Sequence, residues 1–221
     1  MAIYLIRHGE TAGNRDRIVQ VPQTPLSTEG LEQAERLADR LVDHPVRRIL
    51  ASDLARAHMT AGAISRKLGL EVESDALLQE RNFGDLRGTP YDELEEDLFG
   101  PKFSPPGGET WEEFHRRVDS AWERVCALAS GLEGHLAVVT HGLVLHSLAE
   151  RHLSLPSETD TGTERGAGAP SSAPRAIGNT ALSIAEECPG ENGSSWRVVL
   201  DSCTAHLAPG TPDGRRGITG I

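Results

Sequence analysis

Two rhythms of apolar residues alternate along this chain. Ala2 to Ile6 is a short continuous apolar run that ends at Arg7-His8-Gly9, the pattern of a buried strand running into a polar turn. After a loop holding Pro22 and Pro25, Ser27 stands where a helix cap belongs. Leu31, Ala34, Leu37, Ala38, Leu41 and Val42 then recur at helical spacing before Pro45. Arg48 to Ser52 suits a second strand, and Ser52 or Asp53 would cap a helix striped by Leu54, Ala57, Ala61, Ile64 and Leu68 and closed by Gly69. Thr110 and Glu113 compose a capping box ahead of a long amphipathic helix whose stripe of Trp111, Phe114, Val118, Ala121, Val125, Leu128 and Leu132 is expected to be core. Leu136 to Thr140 repeats the strand run and also ends in His-Gly, at His141-Gly142, with a helix from about Leu143 to His152. Ala181 to Ala185 and Trp196 to Leu200 supply two further strands.

Strand followed by helix, repeated, predicts an α/β fold: a three-layer α/β/α sandwich on a mainly parallel sheet. With 221 residues, 38% of them hydrophobic, one domain over residues 1–207 is expected. The stretch 154–175, rich in Ser, Thr, Gly and Pro, reads as a flexible insertion, and 208–221 as a weakly held tail.

Composition narrows the function. A formal net charge of -11 argues against nucleic acid, whose phosphate backbone needs clustered Lys and Arg in excess. No run is long enough to be a signal peptide or to cross a bilayer, so a cytoplasmic protein with no membrane partner is expected. The three cysteines, Cys126, Cys188 and Cys203, have no metal-like spacing and read as reduced thiols. His44, His58, His115, His135, His146, His152 and His206 form no ligand spacing, so no metal and no cofactor are expected, and these rings read as surface or structural. Homo-oligomerisation is compatible with the sequence and not specified by it.

In open parallel sheets, ligands sit beyond the carboxyl ends of the strands. Arg7, His8 and His141 are placed there by two separate runs, and Arg56 lies one turn into its helix. Guanidiniums grip phosphate oxygens in a fork while imidazoles donate, accept or attack, so two Arg and two His make a pocket for a dianion. Gly9 and Gly142 remove side chains where backbone turns sharply or approaches a ligand. A small phosphorylated substrate fits this set.

Several segments together carry a resemblance. Leu5-Ile6-Arg7-His8-Gly9-Glu10-Thr11 with Asn14, Ser52-Asp53-Leu54-Ala55-Arg56-Ala57 with Thr60-Ala61, and Leu78-Gln79-Glu80-Arg81-Asn82-Phe83-Gly84 with Gly88 occur in order. Pro106 to Thr110, Val139-Thr140-His141-Gly142 and Asn179 to Ser183 follow. The set resembles the histidine phosphatase superfamily, also called phosphoglycerate-mutase-like, over roughly residues 1–200. The resemblance implies that His8 is the nucleophile forming a phosphohistidine, with Arg7, Arg56 and His141 around the transferring group. It implies Asn14 and Gly142 as further phosphate contacts and Glu80 as the general acid and base. Taken by local context alone, Glu80 next to Arg81 would be a surface ion pair of little consequence.

The likeness is looser around the substrate. Gln20 fits a position that a glycine commonly follows, yet Val21 stands there, and His146 occupies the neighbourhood of a common arginine. The segment 89–106 carries Asp92, Glu93, Glu95, Glu96 and Asp97; facing inward they would repel an anionic substrate, facing outward they are a solvated surface. Three functions remain open at this stage: a phosphomonoester hydrolase, a bisphosphoglycerate-dependent phosphoglycerate mutase, and a binding module without turnover. The hydrolase is preferred because the segment after the acid is short and acidic.

Overall fold

A computed structural model describes residues 1–155, 177–190 and 193–208. Its elements are β1 (Ala2–Arg7), α1 (Ala12–Arg15), α2 (Thr28–Leu41), β2 (Val46–Ala51), α3 (Ala55–Leu68) and β3 (Val72–Ser74), then α4 (Trp111–Ala129), β4 (His135–Thr140), α5 (Gly142–Arg151), β5 (Leu153–Ser154), β6 (Leu182–Gly190) and β7 (Gly193–Cys203). The seven strands form one sheet in the order β3-β2-β4-β1-β6-β7-β5. β3, β2, β4 and β1 run parallel to one another, whereas β6 is antiparallel to both β1 and β7.

Period-two burial divides the central strands between two cores. Tyr4 and Ile6 of β1, Ile49 and Ala51 of β2, and Ala137 and Val139 of β4 join Leu37, Leu41, Ala57 and Ile64 of α2 and α3. Ile3, Leu5, Leu50, Leu136 and Val138 point the other way, onto Phe114, Val118 and Val125 of α4 and Val144 and Leu148 of α5. A strand covered on both faces must be apolar at every position, which is why β1 and β4 read as unbroken runs. The expected three-layer α/β sandwich is the fold observed.

Local expectations mostly hold. Ser27 caps α2 by accepting from Gly30 N–H, Thr110 and Glu113 form the capping box of α4, and Gly69 ends α3 in the left-handed conformation. Four points differ. Leu31 and Val42 are 44% and 49% exposed, because Gly30 and Gln33 occupy the buried face of α2 instead. Residue Leu54, not Ser52 or Asp53, stands at the start of α3 and offers no side-chain cap. The short strand β3 was not expected, since three residues are too few to show a period. Ser154 pairs with Arg197 in the sheet, so the 154–175 insertion cannot begin before residue 155; its residues from 156 and the tail from 209 lie outside the described residues. Among the described residues no helix is long and apolar enough to cross a membrane.

Candidate active site

Because β1 and β4 are neighbours in register, with Arg7 opposite Thr140, the next residue on each strand is a histidine beside a histidine. The His8 N–H donates to Thr140 O at 3.0 Å, and the two imidazole centroids lie 5.1 Å apart. The turn that follows His8 is pressed against α2. A Cβ on Gly9 would come 2.6 Å from the Gly30 carbonyl oxygen, and one on Gly30 would meet the Glu10 carbonyl oxygen at 2.0 Å, so this approach requires two glycines. Thr60 of α3 closes the turn, accepting from Gly9 N–H at 3.0 Å and donating to Arg56 O at 2.8 Å.

Each ring has one nitrogen committed. His8 Nδ1 lies 2.7 Å from Gly9 O; a carbonyl only accepts, so Nδ1 carries the proton and Nε2 keeps its lone pair. His141 Nε2 lies 2.8 Å from Ser52 Oγ, and that oxygen already accepts from Leu54 N–H at 3.2 Å. Ser52 is fully buried. Its hydroxyl proton therefore goes to His141 Nε2, which leaves the proton of that ring on Nδ1. Sequence reasoning took Ser52 for a helix cap; its partner is this histidine.

Burial together with the charges of Arg56 and Arg7 holds His8 well below the ordinary imidazole range, and burial followed by Arg56 does the same to His141. Both rings are neutral at pH 7. Burial lowers Arg56 to about 10, still a cation at neutral pH. Glu80 is raised by burial, against the opposing pull of N–H donors from Arg81 and Leu143 and of the Arg56 and Arg7 charges.

Arg7 Nη1 donates to Ile177 O and Arg56 Nη1 to Val21 O at 3.3 Å. Among the described residues Arg7 Nε, Arg56 Nε and His141 Nδ1 are buried polar atoms without a hydrogen-bond partner. Buried donors are almost always paired, and here the three orphans come from the two arginines and the histidine next to the His8 imidazole.

A cavity of about 540 Å³ opens onto this group, lined by Arg7, His8, Asn14, Arg56, Glu80 and Gly142 among others. Six of the seven residues singled out from the sequence thus share its wall. The exception is His141, fully buried behind the lining against His8. Asn14 accepts through Oδ1 from Thr11 Oγ1 and from Asn179 Nδ2, which turns its amide nitrogen free as a donor. A Cβ on Gly142 would lie 3.8 Å from Arg7 Nε and 3.9 Å from Glu80 Oε2, in the space between the cation and the acid. Sequence reasoning missed Arg17, Arg87, Tyr91, Phe99 and His146, which also line the cavity; His146, expected at the surface or in a structural role, is one of the wall residues. The five carboxylates from Asp92 to Asp97 are all exposed and outside the lining.

The surface ion pair of Glu80 with Arg81 is not found. Arg81 is 2% exposed, donates to the carbonyls of Leu98, Phe103 and Glu109 and stacks 3.8 Å from the Trp111 ring centroid. Arg117 donates to the carbonyls of Leu77, Gln79 and Glu80 while paired with the Glu109 carboxylate. Together they fix the backbone that carries the acid. No group of three or more His, Cys, Asp or Glu able to hold a metal occurs among the described residues.

The chain matches the model of the histidine phosphatase superfamily (branch 1) over residues 3–165. It belongs to that superfamily. The Yersinia pestis protein named "Probable phosphoglycerate mutase GpmB" is 33% identical over 170 residues, covering 72% of this chain and 78% of that one. Bacillus stearothermophilus YhfR superposes with a TM-score of 0.75 at 26% identity, covering 94% of this chain and 99% of that one. A mycobacterial glucosyl-3-phosphoglycerate phosphatase in complex with VO3 shares the fold at 24% identity and a TM-score of 0.71, covering 90% and 97%.

Proposed function

We propose that this protein is a metal-independent phosphomonoester hydrolase working through a phosphohistidine at His8 Nε2. The observation that carries the reading is the convergence of orphaned polar atoms of Arg7, Arg56 and His141 around a ring whose other nitrogen is tied to Gly9 O. Neutral imidazole is a competent nucleophile and needs no separate base. The N–P bond forms as the P–O bond to the leaving group breaks, and Glu80, whose carboxyl group burial raises above its ordinary range, gives its proton to the departing oxygen. Glu80 then takes a proton from the water that attacks phosphorus, releasing inorganic phosphate and free His8. The negative charge on the equatorial oxygens is met by fixed N–H groups of Arg7, Arg56, His141 Nδ1 and Asn14, which supply electrostatic stabilisation without reorganisation.

A phosphoglycerate mutase is the second reading, supported by the name of the 33% identical relative. A mutase must retain the glycerate skeleton until it is rephosphorylated, and the 89–106 segment adds only Tyr91 and Phe99 to the wall; cations able to hold a carboxylate come from Arg17 and Arg87 instead, so phosphate release is what separates the two readings. The test is a phosphomonoester panel run on wild type and His8→Ala, scored for released phosphate, with an acid-labile, base-stable phosphoryl group sought on quenched wild-type enzyme. Isomerisation of phosphoglycerate without phosphate release would replace the hydrolase by the mutase; unchanged activity in His8→Ala would remove both.

A further inference from the structure

Positive charge in this cavity exceeds what one phosphoryl group uses. Arg7 and Arg56 serve that group, and Arg81 is bonded to carbonyls, yet Arg17 and Arg87 line the same cavity, in which Glu80 is the one carboxylate. In a chain of net charge -11 such a concentration of one sign is a local construction. Two loops build it. Tyr91 N–H donates to Arg17 O at 2.8 Å, Val19 N–H to Thr89 O at 3.0 Å and Gly88 N–H to Val19 O at 2.7 Å, with a further bridge between Ile18 and Pro90. This antiparallel stitch fixes residues 17–19 against 88–91 and so sets Arg17 and Arg87 on one rim. The rim holds Arg17 at φ 54°, a conformation that strains a residue with a Cβ, and its guanidinium lies 5.5 Å from the Tyr91 ring centroid. Arg87 is half-buried in the lining of the cavity. Its field reaches Arg56 and helps lower it, as that of Arg7 does, while Glu80 acts in the opposite sense.

We propose that Arg17 and Arg87 form a second anion subsite, and that the substrate is a phosphomonoester whose leaving group bears a further carboxylate or phosphate. The inference rests on the phosphoryl-site reading and names the substrate class of that site. Tyr91, Phe99, Leu143 and Ile177 in the rest of the lining accommodate the carbon skeleton that joins the two charges. The carboxylates of the 92–97 segment are exposed and outside the lining, so of the two directions its sequence allowed the repulsive one does not arise. A planar guanidinium pair suits either a carboxylate or a phosphate.

The test uses matched pairs with the full chain: 3-phosphoglycerate against glycerol 3-phosphate for a carboxylate, and fructose 1,6-bisphosphate against fructose 1-phosphate for a second phosphate. The doubly anionic member of at least one pair should have a kcat/KM at least tenfold higher, and the pair with the larger ratio identifies the anion. Arg87→Gln and Arg17→Gln should each lower that ratio at least fivefold, mainly through KM, whereas Arg87→Lys keeps most of it. The wild-type ratio should also fall as salt is raised. Ratios near one in wild type, or a ratio unmoved by Arg87→Gln in protein with a native melting profile, would overturn the proposal. A binding arm separates it from the hydrolase reading: calorimetry of the same pairs on His8→Ala should show the same preference in Kd. Preferential binding without turnover of any compound in the wild type leaves the subsite standing and removes the hydrolase; equal binding of both members removes the subsite.

Discussion

Arg56 and Arg81 are equally hidden from water, 3% and 2% exposed, and they are used in opposite ways. Arg81 is saturated: its donors meet the carbonyls of Leu98, Phe103 and Glu109 and its face covers Trp111. Arg56 makes one long bond to Val21 O, keeps Nε unpaired and sits beside Arg7. Burying a guanidinium is costly unless donors and charge are both compensated. Arg81 meets that condition with protein alone, so its role is to hold the acid-bearing segment. Arg56 does not: its Nε is unpaired and the field of Glu80 is opposed by those of Arg7 and Arg87, a deficit that a bound anion would relieve. The same residue type, buried alike, thus separates scaffold from site by what its nitrogens touch.

The sharpest way to break this contrast is to truncate both. Arg56→Met should lower kcat/KM by roughly 10²–10³, the usual loss for a preorganised donor to the transition state, while the melting temperature stays level or rises because an unpaired buried charge is gone. Arg81→Met should behave in reverse: a loss of about 3 kcal/mol in urea unfolding as the carbonyls of Leu98, Phe103 and Glu109 are stranded, and a smaller fall in activity per folded molecule. Destabilisation by Arg56→Met matching that of Arg81→Met would mean that both are structural.

Glu80 tests the function of the segment that Arg81 and Arg117 hold. Glu80→Gln should lower kcat by roughly 10²–10⁴ with alkyl phosphates, the span of general acid and base catalysis. The loss should be smaller in the first half-reaction for a nitrophenyl phosphate, whose leaving group needs no proton; a burst of nitrophenolate followed by slow turnover is the expected trace. The pH profile follows from the directions of shift. His8 is held well below its ordinary value and is neutral over the working range, whereas Glu80 is raised and must be protonated in the first step. Activity therefore falls as pH rises through the Glu80 pKa, and a profile flat across that limb would remove Glu80 as the acid.

A smaller effect is expected at Ser52, which orients rather than reacts. Ser52→Ala frees His141 to adopt the other tautomer and should weaken orthovanadate inhibition and kcat/KM about tenfold, close to the worth of one hydrogen bond to a charged group. Ser52→Thr, which keeps a hydroxyl, should restore most of it. Nitrogen-15 shifts of the His141 ring would report the tautomer directly, and a proton found on Nε2 in the wild type would reverse the assignment.

How much of this was legible before the structure depends on what each residue type announces. His8 and His141 could be read because a buried strand that ends in His-Gly is a local pattern, and the parallel rhythm puts both ends on one side. Glu80 was legible only through its resemblance to a family, because its meaning comes from Arg81 and Arg117, whose partners are carbonyls 17 to 40 residues away. Carbonyls are present at every position and leave no mark in sequence. Arg17 and Arg87 stayed hidden for a related reason: the stitch that joins their loops is backbone to backbone. The acidic 92–97 run left both directions open because composition fixes the sign of charge and not its direction.

Stability against pH distinguishes site from scaffold once more, through histidines this time. Burial and the nearby Arg40 and Arg36 lower His206 to about 4, and burial lowers His44 and His135 as well. An imidazole with a folded pKa below its unfolded value of about 6.5 binds fewer protons in the folded state. Its contribution is full above about pH 6.5 and is lost as pH falls toward the folded pKa, so the melting temperature should decline from pH 6.5 to about 4. His8 and His141 share that direction, but their shifts arise from burial and from Arg56 and Arg7, charges that a bound dianion offsets. Saturating orthovanadate should therefore flatten only the part of the slope due to His8 and His141, and His206→Asn should flatten a separate part whether or not the ligand is present. If vanadate removed the whole slope, or His206→Asn altered the vanadate-dependent part, the scaffold and site histidines would titrate as one coupled set and the division drawn from Arg56 and Arg81 would not extend to them.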